Sequence, residues 1–182
     1  QINLYPSLSH VFSAGNDGNS DCGYGAGAGW GNVTGGHKQA KNVIAVANLT
    51  QISNLAGSSS RGPAADGRIK PDVGAKGTSV NSTLPNNTYD SLTGTSMACP
   101  GVAGCMAQLY HAYKEINGNI NPPSALMKCI VLNSADDLGN PGPDFKHGWG
   151  EINVLRGLSI LENGNYESGT ISQGQDEDYY IN

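Results

Sequence analysis

Short apolar runs bounded by glycine or polar residues mark the first half of the chain, and helical spacing takes over after residue 100. Residues 10–13 (His-Val-Phe-Ser) and 43–47 (Val-Ile-Ala-Val-Ala) have the unbroken apolar character of strands buried on both faces of a parallel sheet. Residues 78–84 read as a further extended segment with looser alternation. From Val102, apolar side chains recur at 102, 105, 106, 109, 113 and 116, which is one face of a helix, and Asn117-Gly118 ends it. Asn121 is expected to cap a second helix that opens with Pro122 and runs to about Asn133. Strands followed by long helices predict an α/β fold.

Composition narrows the class. The 182 residues suffice for one medium domain. Charged residues are only 14%, while glycine supplies 26 positions, so many tight turns and close backbone approaches are implied. A net charge of −5 gives no footprint for nucleic acid, and no apolar run is long enough to span a bilayer. Cys22, Cys99, Cys105 and Cys129 lack metal-type spacing. Cys99, Cys105 and Cys129 are expected to be small buried hydrophobes, and Cys22, in a glycine-rich loop, to be bridged or exposed. That loop, 22–31, alternates glycine almost perfectly and reads as a flexible surface loop, with Trp30 placed to cover a substrate subsite.

The most informative stretch is Gly94-Thr95-Ser96-Met97-Ala98-Cys99-Pro100-Gly101-Val102-Ala103-Gly104. It sets a serine between a glycine turn and the start of a helix. First-turn amides have no intrahelical acceptor and carry the positive end of the helix dipole, so negative charge developing near Ser96 meets oriented donors. Pro100 is expected in that first turn, where it forfeits no hydrogen bond.

This stretch resembles the nucleophile motif of the subtilisin-like serine endopeptidases. Two further blocks are similar to the same family: Val11-Phe12-Ser13-Ala14-Gly15-Asn16-Asp17-Gly18 to its oxyanion segment, and Ser58-Ser59-Ser60-Arg61-Gly62-Pro63, running on to Lys70-Pro71-Asp72-Val73-Gly74-Ala75-Lys76-Gly77, to the connection before the serine. The segment 145–153 is similar to a glycine-aromatic-glycine lead into a late helix. The resemblance implies a doubly wound, mostly parallel sheet with flanking helices. It implies Ser96 as nucleophile, Asn16 as the oxyanion donor, and Ala14 and Gly15 as one wall of the pocket for the residue before the scissile bond. Lys76 departs from the family's usual proline, so the local loop is expected to differ.

The family's catalytic aspartate and histidine motifs are absent. His10, His37, His111 and His147 all lack that context, and only fifteen residues precede Asn16. The chain therefore reads as the C-terminal part of a catalytic domain lacking its N-terminal half, inactive alone, with residues 162–182 a linker or the first strand of a following β domain. Its expected partners are a polypeptide substrate and either the missing half or another copy of the chain. No cofactor is required. Structural calcium is conceivable at Asp17-Gly18-Asn19-Ser20-Asp21, although this run lacks the glutamate of an EF-hand loop. A secreted or extracytoplasmic location follows from the resemblance.

Two other readings compete. A serine esterase would use Ser96 with Asp144 and His147, which follow it in the chain; against it, the expected Gly-x-Ser-x-Gly has Ala98 at its last position. A non-catalytic protein would keep the fold for binding alone.

Overall fold

The computed structural model describes residues 5–22 and 24–176. Three parallel strands form a sheet in the order β1 (Val11–Ser13), β2 (Ile44–Leu49), β3 (Val73–Lys76). An antiparallel hairpin follows, β4 (Val80–Leu84) with β5 (Thr88–Leu92), and then three helices, α1 (Thr95–Ile116), α2 (Ser124–Ser134) and α3 (Val154–Glu162). The mixed α/β architecture is the one the sequence pattern called for.

Every residue of β2 is buried, as its apolar run requires. Ile44 and Val46 meet Val73 and Ala75 of β3, and with Val102, Met106 and Leu109 of α1 and Met127, Ile130 and Val131 of α2 they form the main core. β1 departs from expectation, since its residues are only half-buried. It is an edge strand, hydrogen-bonded to β2 alone among the described residues, so one flank lacks the cover a central strand receives.

The second helix opens later than its sequence suggested. Ser124 rather than Pro122 begins α2, and Asn121 is not its cap. The amide of Ser124 donates instead to the carbonyl of Pro6 (2.8 Å), a tertiary acceptor that does the work of a cap. Two strands, β3 and β5, had no apolar alternation to betray them. The strand expected at the chain's end falls largely outside the described residues, and 163–176 contain neither helix nor strand.

Ahead of β3 lies a buried ionic knot. Asp72 and Lys70 are almost wholly buried. The Asp72 carboxylate accepts from Lys70 Nζ (2.5 Å), Lys128 Nζ (2.8 Å) and the amide of Ala45 (2.7 Å). Burial pulls the Lys70 ammonium below the usual lysine range, with Asp72 opposing the shift. Lys128 also donates to the carbonyls of Lys41 and Val43, fastening α2 to the entrance of β2.

Lys76 does alter its surroundings. Its ammonium reaches Ser53 Oγ (2.6 Å) and Glu151 Oε1 (3.0 Å), tying the turn after β2 to the 150–152 segment that flanks β3.

Candidate active site

Asn16 and Ser96 are brought together at the C-terminal ends of the parallel strands. β1 delivers residues 14–16, and β3 delivers Gly77, whose carbonyl accepts from the amide of Gly94 (2.9 Å) immediately before α1. Gly77 has no room for a side chain. A Cβ there would stand 2.6 Å from both Asn48 Oδ1 and the Gly94 carbonyl and 2.8 Å from Ala98 Cβ. Glycine thus lets β3 and the start of α1 approach closely enough to place the serine.

The orientation of the Asn16 carboxamide is set by its partners. Asn16 Oδ1 accepts from the amide of Thr95 (3.0 Å) and from the Thr95 hydroxyl (3.1 Å). The Thr95 hydroxyl oxygen in turn accepts from the amide of Gly15 (3.2 Å). With its oxygen held by two donors, the side chain must present Nδ2 outward. Nδ2 lies 3.3 Å from where a Cβ on Gly94 would stand, two residues from Ser96.

Ser96 is the second residue of α1 and is exposed. Among the described residues its amide has no acceptor, because the helix's first hydrogen bonds belong to Met97 and Ala98, both donating to the Gly94 carbonyl. A hydroxyl, an unpaired first-turn amide and an outward carboxamide NH2 therefore share one open surface. That surface can hold a negatively charged oxygen next to the Ser96 hydroxyl.

Pro100 is not where it was expected. It is the sixth residue of α1, one turn further in, where its missing N–H deprives the Ser96 carbonyl of its i+4 donor. Ala14 has no exposed surface and lies behind Gly15. Gly15 is half-open, with φ +121°, a conformation that excludes other residues.

Among the described residues no base stands beside Ser96, and no histidine or carboxylate is hydrogen-bonded to its hydroxyl. His10 and His37 flank Phe12 of β1, with ring centroids 6.3 and 4.7 Å away. His111 is exposed on α1. His147 is paired with Asp144 (Nδ1 to Oδ2, 3.4 Å), so that dyad exists, but the esterase arrangement does not. Residues 147–149 are fastened to the start of β3, where the amide of Trp149 donates to the Asp72 carbonyl (2.9 Å). Ser96 is fastened beyond its end, through Gly77. The intervening extended chain puts these anchors roughly 16 Å apart.

Burial tends to raise the Asp144 carboxyl, but the amides of His147 and Lys146 (each 2.8 Å) and the imidazole outweigh it and hold the group below the usual range. The pair shapes the 139–150 loop.

Other expected features fall into place around the site. The glycine loop is anchored rather than loose, because the Tyr24 hydroxyl shares its proton between the carbonyls of Gly31 (2.5 Å) and Pro63 (2.7 Å). Trp30 lines a cavity of about 490 Å³ with Ile69, Pro143, Phe145 and Lys146, in which neither Asn16 nor Ser96 takes part. All four cysteines are free. Cys99 and Cys105 are half-buried, and burial pushes both thiols up; Cys129 is exposed, contrary to expectation, because α2 turns it outward beside Asn133. Among the described residues no group of three His, Cys, Asp or Glu side chains is arranged to hold a metal ion. The Ser20 carbonyl within the 17–21 run is already taken by Gly29 and Asn32. No helix among the described residues is long and apolar enough to cross a membrane.

Sequence reasoning did not single out Thr95 or Ser60, whose hydrogen bonds hold the 15–17 segment. Both lie inside motifs that the chain displays openly, but a motif does not say which hydroxyl bonds to which amide.

The profile of the subtilase family matches residues 6–150. Subtilisin DY of Bacillus licheniformis is 35% identical over 144 residues, covering 79% of this chain and 44% of that protein. C5a peptidase of Streptococcus pyogenes is 39% identical over 98 residues, 53% of this chain and 8% of that protein. Among solved structures, the patellamide maturation protease PatA superposes with a TM-score of 0.70 at 21% identity, over 90% of this chain and 56% of its own. The prenylagaramide maturation protease PagA gives 0.69 at 22%, over 88% and 54%. At that identity the superpositions speak for the fold. The chain spans about half the length of these structures and less than half of the sequence relatives.

Proposed function

The chain belongs to the subtilase family, a family of peptidases, and from its site we propose that it carries the nucleophile and oxyanion hole of a serine endopeptidase. The observation that supports this most directly is the double anchoring of Asn16 Oδ1 on Thr95, which aims Nδ2 at the surface where the Ser96 amide is also unpaired.

In this reading Ser96 Oγ attacks the carbonyl carbon of a peptide bond while its proton passes to an imidazole. The carbonyl oxygen becomes an oxyanion held by Asn16 Nδ2 and the Ser96 amide. Collapse expels the amine, which takes up the proton, and leaves an acyl ester on Ser96 that water then cleaves. The imidazole and its orienting aspartate come from residues outside this sequence, since none of the histidines within it is hydrogen-bonded to Ser96 among the described residues. They belong to an upstream half of the domain that packs against the free edge of β1. The substrate is a polypeptide, with Gly15 on one wall of its pocket, and the enzyme works outside the cytoplasm.

Labelling of the complete enzyme with a fluorophosphonate tests the reading. Wild type should be modified at Ser96, Ser96→Ala should not react, and Asn16→Ala should lose about 100- to 1000-fold in kcat. Undiminished labelling of the Ser96→Ala enzyme would refute the assignment; a folded wild type that is never labelled would favour a binding role.

A further inference from the structure

The backbone carrying Asn16 is gripped on both sides by a single residue. The amide of Ser60 donates to the carbonyl of Gly15 (2.8 Å), and the amide of Asp17 donates to Ser60 Oγ (3.1 Å). Ser60 has no exposed surface, and nor does Ser59, whose hydroxyl oxygen accepts from the amide of Asn48 in β2 (3.0 Å). Ser59 sits at the bend that closes the 56–59 turn, its amide donating to the Ala56 carbonyl (2.9 Å), and fastens the segment to the sheet while Ser60 faces the 15–17 turn. Nothing else fits between them: a Cβ on Gly15 would come within 2.7 Å of Ser60 Oγ.

We propose that Ser60 is a positioning residue for the oxyanion donor, holding the Gly15–Asp17 backbone so that Asn16 Nδ2 stays aimed at the reacting oxygen. The inference rests on the peptidase reading above and deepens it. Thr95 fixes the Asn16 side chain, but a side chain is placed only as well as the backbone that bears it. Removing the Ser60 hydroxyl orphans the Asp17 amide and frees the turn to rotate about Asn16. Displacements of about 1 Å at such a donor cost up to about 100-fold in rate. The transition state, in which the oxygen carries charge, suffers more than the ground state, so kcat falls and KM does not.

The test uses the complete enzyme with Ser60→Ala and Ser60→Cys, each alone and combined with Asn16→Ala. Cysteine keeps the volume but is a poor acceptor, so it reads the same bond should the alanine variant not fold. The expected result for a folded variant is a kcat about 10-fold down with KM within about twofold, and no further fall in the Asn16→Ala background. Unchanged kcat in a folded variant overturns the inference. So does an equal fall with Asn16 already removed, because Ser60 would then act independently of it, and so does failure of both variants to fold, which would assign Ser60 to the scaffold alone. A folded wild type that neither turns over nor labels at Ser96 overturns the peptidase reading and this inference with it, and that outcome is visible before any Ser60 variant is made.

Discussion

Thr95 donates to Asn16 twice, through its amide (3.0 Å) and its hydroxyl (3.1 Å), from the position immediately before Ser96. The same residue that opens α1 therefore orients the Asn16 carboxamide, the proposed oxyanion donor, coupling the two halves of the candidate site through one side chain. Thr95→Val keeps the shape and the amide but removes the hydroxyl, which also orphans the amide of Gly15. The expected result is a kcat about 10-fold below wild type with KM little changed, and near-normal turnover for Thr95→Ser. Steady-state kinetics of the complete enzyme check it.

Gly77→Ala should damage both stability and activity. The new methyl would meet the Gly94 carbonyl and Asn48 Oδ1 at 2.6 Å, and backbone cannot swing aside as a flexible side chain can. Overpacking of this kind costs about 1–3 kcal/mol, and the strain lands on the turn before Ser96. A lowered melting temperature together with reduced kcat is expected; an unaltered enzyme would mean that β3 and α1 are not in such close contact.

His147→Ala separates the peptidase from the esterase arrangement. The imidazole is buried and packs on Asp144 at the opposite end of β3 from Ser96. Its loss should cost about 1–2 kcal/mol of stability while the turnover of the folded variant stays within about twofold of wild type. Melting curves and kcat measured on the same preparation decide between the two.

Asp144 gives the protein an acid-sensitive loop. Its carboxyl ionises more readily in the fold than in the unfolded chain, despite burial, because the amides of His147 and Lys146 bond to the carboxylate. The stability it contributes is therefore fully present above about pH 4 and disappears as the pH falls through the lower, folded value. Asp144→Asn should be less stable than wild type at pH 6, and the difference should narrow toward pH 2. Thermal unfolding across that range would show it, and a constant difference would contradict it.

Prepared alone, residues 1–182 should hydrolyse no peptide, because a serine hydroxyl without its base retains only what the oxyanion hole supplies. The free edge of β1 should then drive association with an upstream fragment or with another copy of the chain. Sedimentation and a peptidase assay test this together: a monomeric, cooperatively melting, active chain would mean that the domain is self-sufficient.

Much of this protein was legible in its residues. The apolar run at 43–47, the helical spacing from Val102, and three motifs in order gave the fold class and the family and singled out Ser96 and Asn16, because periodicity and steric uniqueness are local properties that a sequence displays directly. β3 and β5 were hidden, since Val73-Gly74-Ala75-Lys76 carries too little apolar alternation to register; it is a strand because it lies against β2. Asn121 looked like a cap and Pro100 like a first-turn proline, but the start of α2 is satisfied by Pro6 and α1 begins at Thr95. The Asp144–His147 pair, which the esterase alternative would have used, does form in the fold, but beside the start of β3. Only the tertiary arrangement could set that dyad at one end of β3 and Ser96 at the other, or choose Thr95 and Ser60 as the holders of Asn16. Hydrogen bonds between residues 43 to 79 positions apart are fixed by where the strands carry the backbone, and that is a property of packing which no local pattern encodes.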